Sequence, residues 1–100
     1  MSFIHIVLLP VSPNAPQELV DQVIADLNRL SEQIPFVTRS SCGKTVTQRG
    51  RQYTHALLVE LERAEQLSEY AVHPVHQAVL AKIKAIVAEE TLAIDFSDTN

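Results

Sequence analysis

Phe3-Ile4-His5-Ile6-Val7-Leu8-Leu9, closed by Pro10, is the stretch on which the fold turns. Its residues are β-branched, aromatic or aliphatic throughout. The spacing predicts a strand that is apolar on both faces. With Phe3, His5, Val7 and Leu9 on the face that packs against helices, Ile4, Ile6 and Leu8 are left for the other face. Burying each of those three is worth roughly 1.5–3 kcal/mol.

The rest of the chain follows outward from this strand. Asn14 is a candidate helix cap with Gln17 three residues on. Leu19, Val20, Val23, Ile24, Leu27 and Leu30 then form one helical stripe that Pro35 stops. Residues 36–46 read as a second strand, with Gly43 suggesting a bulge. A polar turn around Gly50 leads into a third strand over residues 53–61. Residues 63–72 form a short helix interrupted at His73-Pro74, and Val75, Val79, Ile83, Ile86 and Val87 mark the helical stretch beyond it. Residues 91–96 are the last strand. The order is βαββαβ, which predicts an α+β ferredoxin-like fold: an antiparallel sheet in strand order 4-1-3-2 with the helices on one face. Residues 1–97 make a single domain and residues 98–100 a polar, frayed tail.

An uncovered face carrying Ile4, Ile6 and Leu8, with Ala56 and Leu58 beside them, predicts a homodimer through the open sheet face. The same set contributed twice can exceed an association cost of ~4–15 kcal/mol. Two sheets paired in this way make a dimeric α/β barrel.

Composition narrows the function classes. The formal charge of −4 argues against non-specific nucleic-acid binding, and there is no apolar run of the length a membrane span needs. Met1-Ser2-Phe3-Ile4-His5 lacks the basic start and long apolar stretch of a signal peptide, and Cys42 is the single cysteine, so a cytoplasmic location is the expectation. There are only two glycines and no phosphate-cradling loop.

Four histidines are the candidates for chemistry: His5, His55, His73 and His76. Histidine is the side chain best placed to move protons near neutral pH, although each taken alone also fits a hydrogen-bonded core or surface residue. Asp95 sits between Ile94 and Phe96. Strands one and four are antiparallel neighbours in this topology, so Asp95 should lie near His5, where a carboxylate fixes the tautomer of an imidazole; the plainer alternative is a strand-end aspartate facing water. Tyr70 and His76 flank the helix break. A phenol there can donate to a developing oxyanion while the histidine takes a proton, or Tyr70 can be a core aromatic of its helix.

His73 and His76 are three apart, but the intervening proline spoils a regular ligand pair, and no metal site and no cofactor are expected. Cys42 has no adjacent base and reads as a small strand residue. The chain has no acid between Glu32 and Glu60, whereas Arg39, Lys44, Arg49 and Arg51 all fall there, as a solvated hairpin or a cationic rim suited to carboxylate or thioester-type ligands.

Several stretches together resemble the stress-responsive α/β-barrel (Dabb) family: Ile4-His5-Ile6-Val7-Leu8-Leu9, Ile34-Pro35, Tyr53-Thr54-His55-Ala56, Tyr70-Ala71-Val72-His73-Pro74-Val75-His76 and Ile94-Asp95-Phe96. The resemblance covers nearly the whole chain, and the tyrosine followed by His-Pro-x-His is its most specific part. It implies a ferredoxin-like monomer, a dimeric barrel, and a family in which most members have no assigned reaction. It also implies, from the polyketide-cyclase-like members, that His76 is a base, Tyr70 assists it, Asp95 orients it and His5 lines the pocket. The chain departs from those members in having few aromatics and no tryptophan to wall an aromatic tunnel.

The leading expectation is a homodimer whose pocket holds a small apolar or aromatic acid ligand, with His76, Tyr70 and Asp95 as catalytic candidates and His5, Val7, Leu9, His55 and His73 as substrate-binding ones. The alternatives are a polyketide-cyclase-like enzyme and a cofactor-free monooxygenase, to which the absence of tryptophan lends no support.

Overall fold

The computed structural model describes residues 2–99. The elements run β1 (Ser2–Leu9), α1 (Gln17–Asn28), α2 (Leu30–Gln33), β2 (Val37–Lys44), β3 (His55–Leu61), α3 (Gln66–Val72), α4 (Pro74–Ile86) and β4 (Leu92–Asp98). The strands form one antiparallel sheet in the order β2-β3-β1-β4, which is the expected 4-1-3-2 order viewed from the other edge. The first expected helix is divided into α1 and α2, whereas α3 and α4 are the two stretches expected on either side of His73-Pro74.

Register assigns the faces. Residues directly opposite one another across paired strands point to the same side. His5 pairs with Val59 and Asp95, and Val7 pairs with Leu57 and Ala93. Val59 and Leu57 belong to the core beneath the helices, with Val20, Val23 and Leu27 of α1 and Val79, Ile83 and Ile86 of α4. The helix-facing side of β1 is therefore the His5 side. The opposite face carries Ile4 beside Phe96 and Glu60, Ile6 beside Leu58 and Ile94, and Leu8 beside Ala56 and Leu92. On that face Leu92, Ile94 and Phe96 remain 43%, 53% and 47% exposed, a contiguous apolar surface that a monomer leaves wet.

Three local expectations are corrected. Asn14 caps nothing: α1 starts at Gln17 behind Pro16, with no side-chain cap. Pro16 disfavours helical backbone at Ala15, so the helix cannot begin earlier. Gly43 pairs regularly with Ala56, and the register shift lies instead between Val37 and Arg39. There the Thr38 hydroxyl donates to the Glu60 carboxylate at 2.7 Å, giving the extra residue its own partner. Asp98 is not part of a frayed tail, because it pairs with Ser2 in β4, and Asn100 of the expected tail lies outside the described residues.

β2 is an edge strand, and Asn28 at the end of α1 holds its outer edge. The Asn28 side chain accepts from the Cys42 N–H at 2.9 Å and donates to the Cys42 carbonyl at 3.0 Å, as a neighbouring strand would. The Ser40 hydroxyl donates to the Asn28 carbonyl and accepts from the Ser31 N–H. Replacing Asn28 with Ala removes both bonds to Cys42 and should cost about 1–3 kcal/mol. Urea titration should show the midpoint falling with the slope unchanged; a change under about 0.5 kcal/mol would mean that water substitutes for the clamp.

Candidate functional site

The break between α3 and α4 builds the site. Pro74 has no N–H, so it occupies the first turn of α4 without loss, while the chain cannot run on as one helix. His73 caps α4, its Nδ1 accepting from the Val75 N–H at 3.1 Å. Val75 would otherwise have donated to the Ala71 carbonyl four residues back. That carbonyl is thus freed, and it accepts from His76 Nδ1 at 3.0 Å and from the Gln77 side-chain amide. A carbonyl only accepts, so His76 Nδ1 carries the proton and Nε2 is left with a lone pair.

The surroundings of His76 favour the neutral imidazole. Burial lowers the His76 pKa from the ordinary 6.5. The bond to Ala71 opposes that shift, and His5 and His73 reinforce it. His76 lies 4.4 Å from Tyr70 between ring centroids, and Tyr70 lies 5.6 Å from His5 in an edge-on contact. Tyr70 is 1% exposed, and its hydroxyl is a fully buried polar atom with no hydrogen-bond partner among the described residues. Burial pushes the phenol well above its ordinary range, so the hydroxyl is a donor at all physiological pH.

His5 Nδ1 and Asp95 Oδ1 are 2.5 Å apart. Adjacency across the β1–β4 register places them together, as the strand order predicts. The further implication that Asp95 orients His76 is not what the geometry gives: the partner of Asp95 is His5, and His76 is oriented by a backbone carbonyl.

These groups surround a cavity of about 300 Å³ between the β1–β4 side of the sheet and helices α3 and α4. His5, Tyr70 and His76 are on its wall with Thr91, and Val7, Leu57, Leu67, Leu80 and Ile83 supply most of the apolar lining. This volume is at the small end of ligand sites. Among the described residues there is no cluster of side chains suited to a metal ion.

Not every candidate gathers here. Val7 lines the cavity, whereas Leu9 is sealed in the core at 1% exposure. His55 pairs with Leu9 at the far end of β1, where burial and then Lys44 lower its pKa. His73 is engaged as the α4 cap and packs edge-on against Phe36. Leu80 and Ile83 were not anticipated as walls, although their spacing of four and seven from His76 puts them on its stripe.

The stress responsive A/B barrel domain model matches residues 3–98. The chain belongs to this family. A stress-response A/B barrel domain-containing protein of Arabidopsis thaliana is 27% identical over 94 residues; the match takes in 92% of this chain but only 35% of that protein. Among solved structures, a dimeric ferredoxin-like protein of unknown function from Thermobifida fusca is 28% identical, with a TM-score of 0.82 and coverage of 97% of this chain and 91% of that one. The hydroxynitrile lyase of Passiflora edulis superposes with a TM-score of 0.83 at 18% identity, covering 99% and 95% of the two chains, a likeness of fold alone. The A/B barrel domain described here therefore shares its architecture with at least one enzyme.

A buried hydroxyl without a partner is a stability cost that a ligand can relieve. Tyr70→Phe should leave the domain as stable as the parent or up to about 1 kcal/mol more stable, measured by chemical denaturation. A loss beyond about 1 kcal/mol would show that the hydroxyl is bonded in the folded protein.

Proposed function

We propose that this A/B barrel domain is a homodimeric small-molecule-pocket protein whose cavity carries proton transfer, with His76 as the base. The observation that carries this reading is one apolar cavity holding both an imidazole whose Nδ1 is tied to a backbone carbonyl and whose Nε2 is free and a buried hydroxyl with nothing to donate to. A general base works best when it is neutral at working pH, and the lowered pKa of His76 provides that.

The substrate class that fits is a small apolar or aromatic molecule with an acidic proton next to a carbonyl. His76 Nε2 takes the proton, and the electron pair moves onto the carbonyl oxygen, where the Tyr70 hydroxyl donates to the developing charge. His5, held by Asp95, faces the same space and supplies a second polar contact for the substrate head. The enolate carbon then adds to an internal carbonyl as its C=O π bond opens. In the aldol outcome the resulting alkoxide takes the proton back from the His76 imidazolium. In the Claisen outcome the tetrahedral intermediate expels the ester or thioester leaving group, which the imidazolium protonates. Alternatively the imidazolium reprotonates the enolate at another carbon. The fold shared with the Passiflora edulis hydroxynitrile lyase makes cyanohydrin cleavage a further assay, in which the same base would accept the hydroxyl proton as the carbon–cyanide bond breaks.

The pH dependence follows from the sign of the shift. Because the His76 pKa lies below 6.5, turnover should be level from about pH 7 upward and fall on acidification below 6.5 as the base is protonated. His76→Gln should lower turnover of a responsive β-keto acid or hydroxynitrile by about 10²–10⁴-fold, with folding kept within about 1 kcal/mol. Ligand-induced thermal shifts without any turnover in the parent would make the protein a binder only. Full turnover in the His76 variant would remove the proposed base.

Dimerisation rests on the open sheet face. The Thermobifida fusca relative is described as dimeric, and the face here presents Ile4, Ile6, Leu8, Leu58, Ile94 and Phe96 in one block. Sedimentation at micromolar concentration should give twice the 11.1 kDa chain mass. Ile6→Lys would bury an unpaired charge at the centre of that face and should give a monomer of lowered stability. A parent chain that sediments as a monomer contradicts the assignment.

A further inference from the structure

The cationic segment that the pocket chemistry leaves unused has a cavity of its own. It lies at the opposite end of the sheet from His76, has a volume of about 410 Å³, and is lined by Lys44, Arg51, Thr54 and His55 on one side. The start of α1 lies across from them, with Ala15, Gln17 and Val20 on the wall. From these residues we propose a second ligand site, built for a small organic carboxylate with a short apolar body.

The charge arrangement is the first argument. Lys44 and Arg51 both line this cavity, and the ion pairs among the described residues join other side chains: His5 with Asp95, Arg29 with Glu32, Arg63 with Glu65 and Lys82 with Asp26. No acidic residue contributes to the wall. Two cations brought to one concavity without a counter-charge raise the local concentration of anions.

His55 is the second argument. It is 6% exposed, and its Nδ1 lies 2.7 Å from the Thr54 hydroxyl. That hydroxyl donates to the Leu9 carbonyl at 3.2 Å and accepts from the Val11 N–H at 3.1 Å. The hydroxyl has one proton for the Leu9 carbonyl and His55 Nδ1, and with either arrangement His55 Nε2 has no partner among the described residues. An approaching anion favours the protonated ring, whose Nε2–H then donates to it. The N-terminus of α1 adds to the same field. No side chain caps it, although Glu18 in its first turn offsets part of the dipole and the Leu19 and Val20 N–H groups already donate to the Pro16 carbonyl.

Arg51 is placed there at a conformational cost. Its φ of 57° is in the left-handed region, where a non-glycine residue is uncommon, and it follows Gly50 in the turn that carries it. Of the remaining walls, Val11, Pro13, Ala15 and Val20 are apolar, and Ser12 and Gln52 are uncharged. The site thus combines a cationic head region with an apolar floor, which selects a carboxylate bearing a hydrocarbon body over inorganic phosphate.

The test is an NMR titration of the intact protein with hexanoate, with hexanamide as the uncharged match and inorganic phosphate as the bare anion. Hexanoate should give saturable shifts at the Gln17, Thr54 and His55 amides, at least tenfold tighter than hexanamide or phosphate. Lys44→Gln should weaken it at least fivefold. Arg51→Gly should do the same while suiting the left-handed backbone, so that loss of binding cannot be ascribed to a broken turn. His76→Gln should leave these shifts unchanged, which separates this site from the proton-transfer pocket. Equal binding of hexanoate and hexanamide would overturn the proposal. So would shifts confined to the residues around Tyr70, or no saturation below about 10 mM.

Discussion

β1 is hydrogen-bonded on both edges, to β3 and to β4, and its side chains alternate between two apolar faces. Nearly everything else follows from that parity. His5 cannot face the helices without Ile4 and Ile6 facing away, because a slip of one residue would exchange the two sets. The same strand that delivers an imidazole to an internal cavity therefore delivers the apolar surface proposed to pair two chains. Register does the rest: pairing with β4 brings Asp95 beside His5, and pairing with β3 sets Val59 and Leu57 under the helices.

The second determinant is a missing hydrogen-bond donor. Pro74 ends α3 and starts α4, His73 takes over the Val75 N–H, and the Ala71 carbonyl becomes an acceptor for His76. The tautomer of the proposed base is thus set by backbone geometry, whereas His5 is held by a carboxylate. Tyr70, sealed between the two imidazoles with an unanswered hydroxyl, is a local loss of stability of the kind that accumulates where a ligand is to be met.

Much of this was legible in the residues. The apolar run from Phe3 to Leu9, the two helical stripes and the His73-Pro74 break give the element order, and antiparallel neighbours give the His5–Asp95 contact. What escaped were features with no letter of their own. The Ala71 carbonyl is backbone, so pairing Asp95 with His76 looked as reasonable as pairing it with His5. Asn14 had the chemistry of a cap, but Pro16 controls where the helix can start. Gly43 had the chemistry of a bulge, yet the irregularity fell at Thr38, where a side chain could meet Glu60. Parity placed Leu9 and His55 on the helix side correctly, but it does not say how far along the strand the cavity extends. That limit is set by where α3 and α4 lie, and it leaves Leu9 in the core and His55 at the other end.

The proton on His76 decides the account. Long-range proton–nitrogen correlation of the imidazole rings at about pH 7 distinguishes a protonated nitrogen from one with a free lone pair. An uncharged His76 with Nδ1 protonated and Nε2 bare is the predicted result. A charged ring, or a neutral ring protonated at Nε2, would contradict it, since neither leaves Nε2 a lone pair to accept a proton.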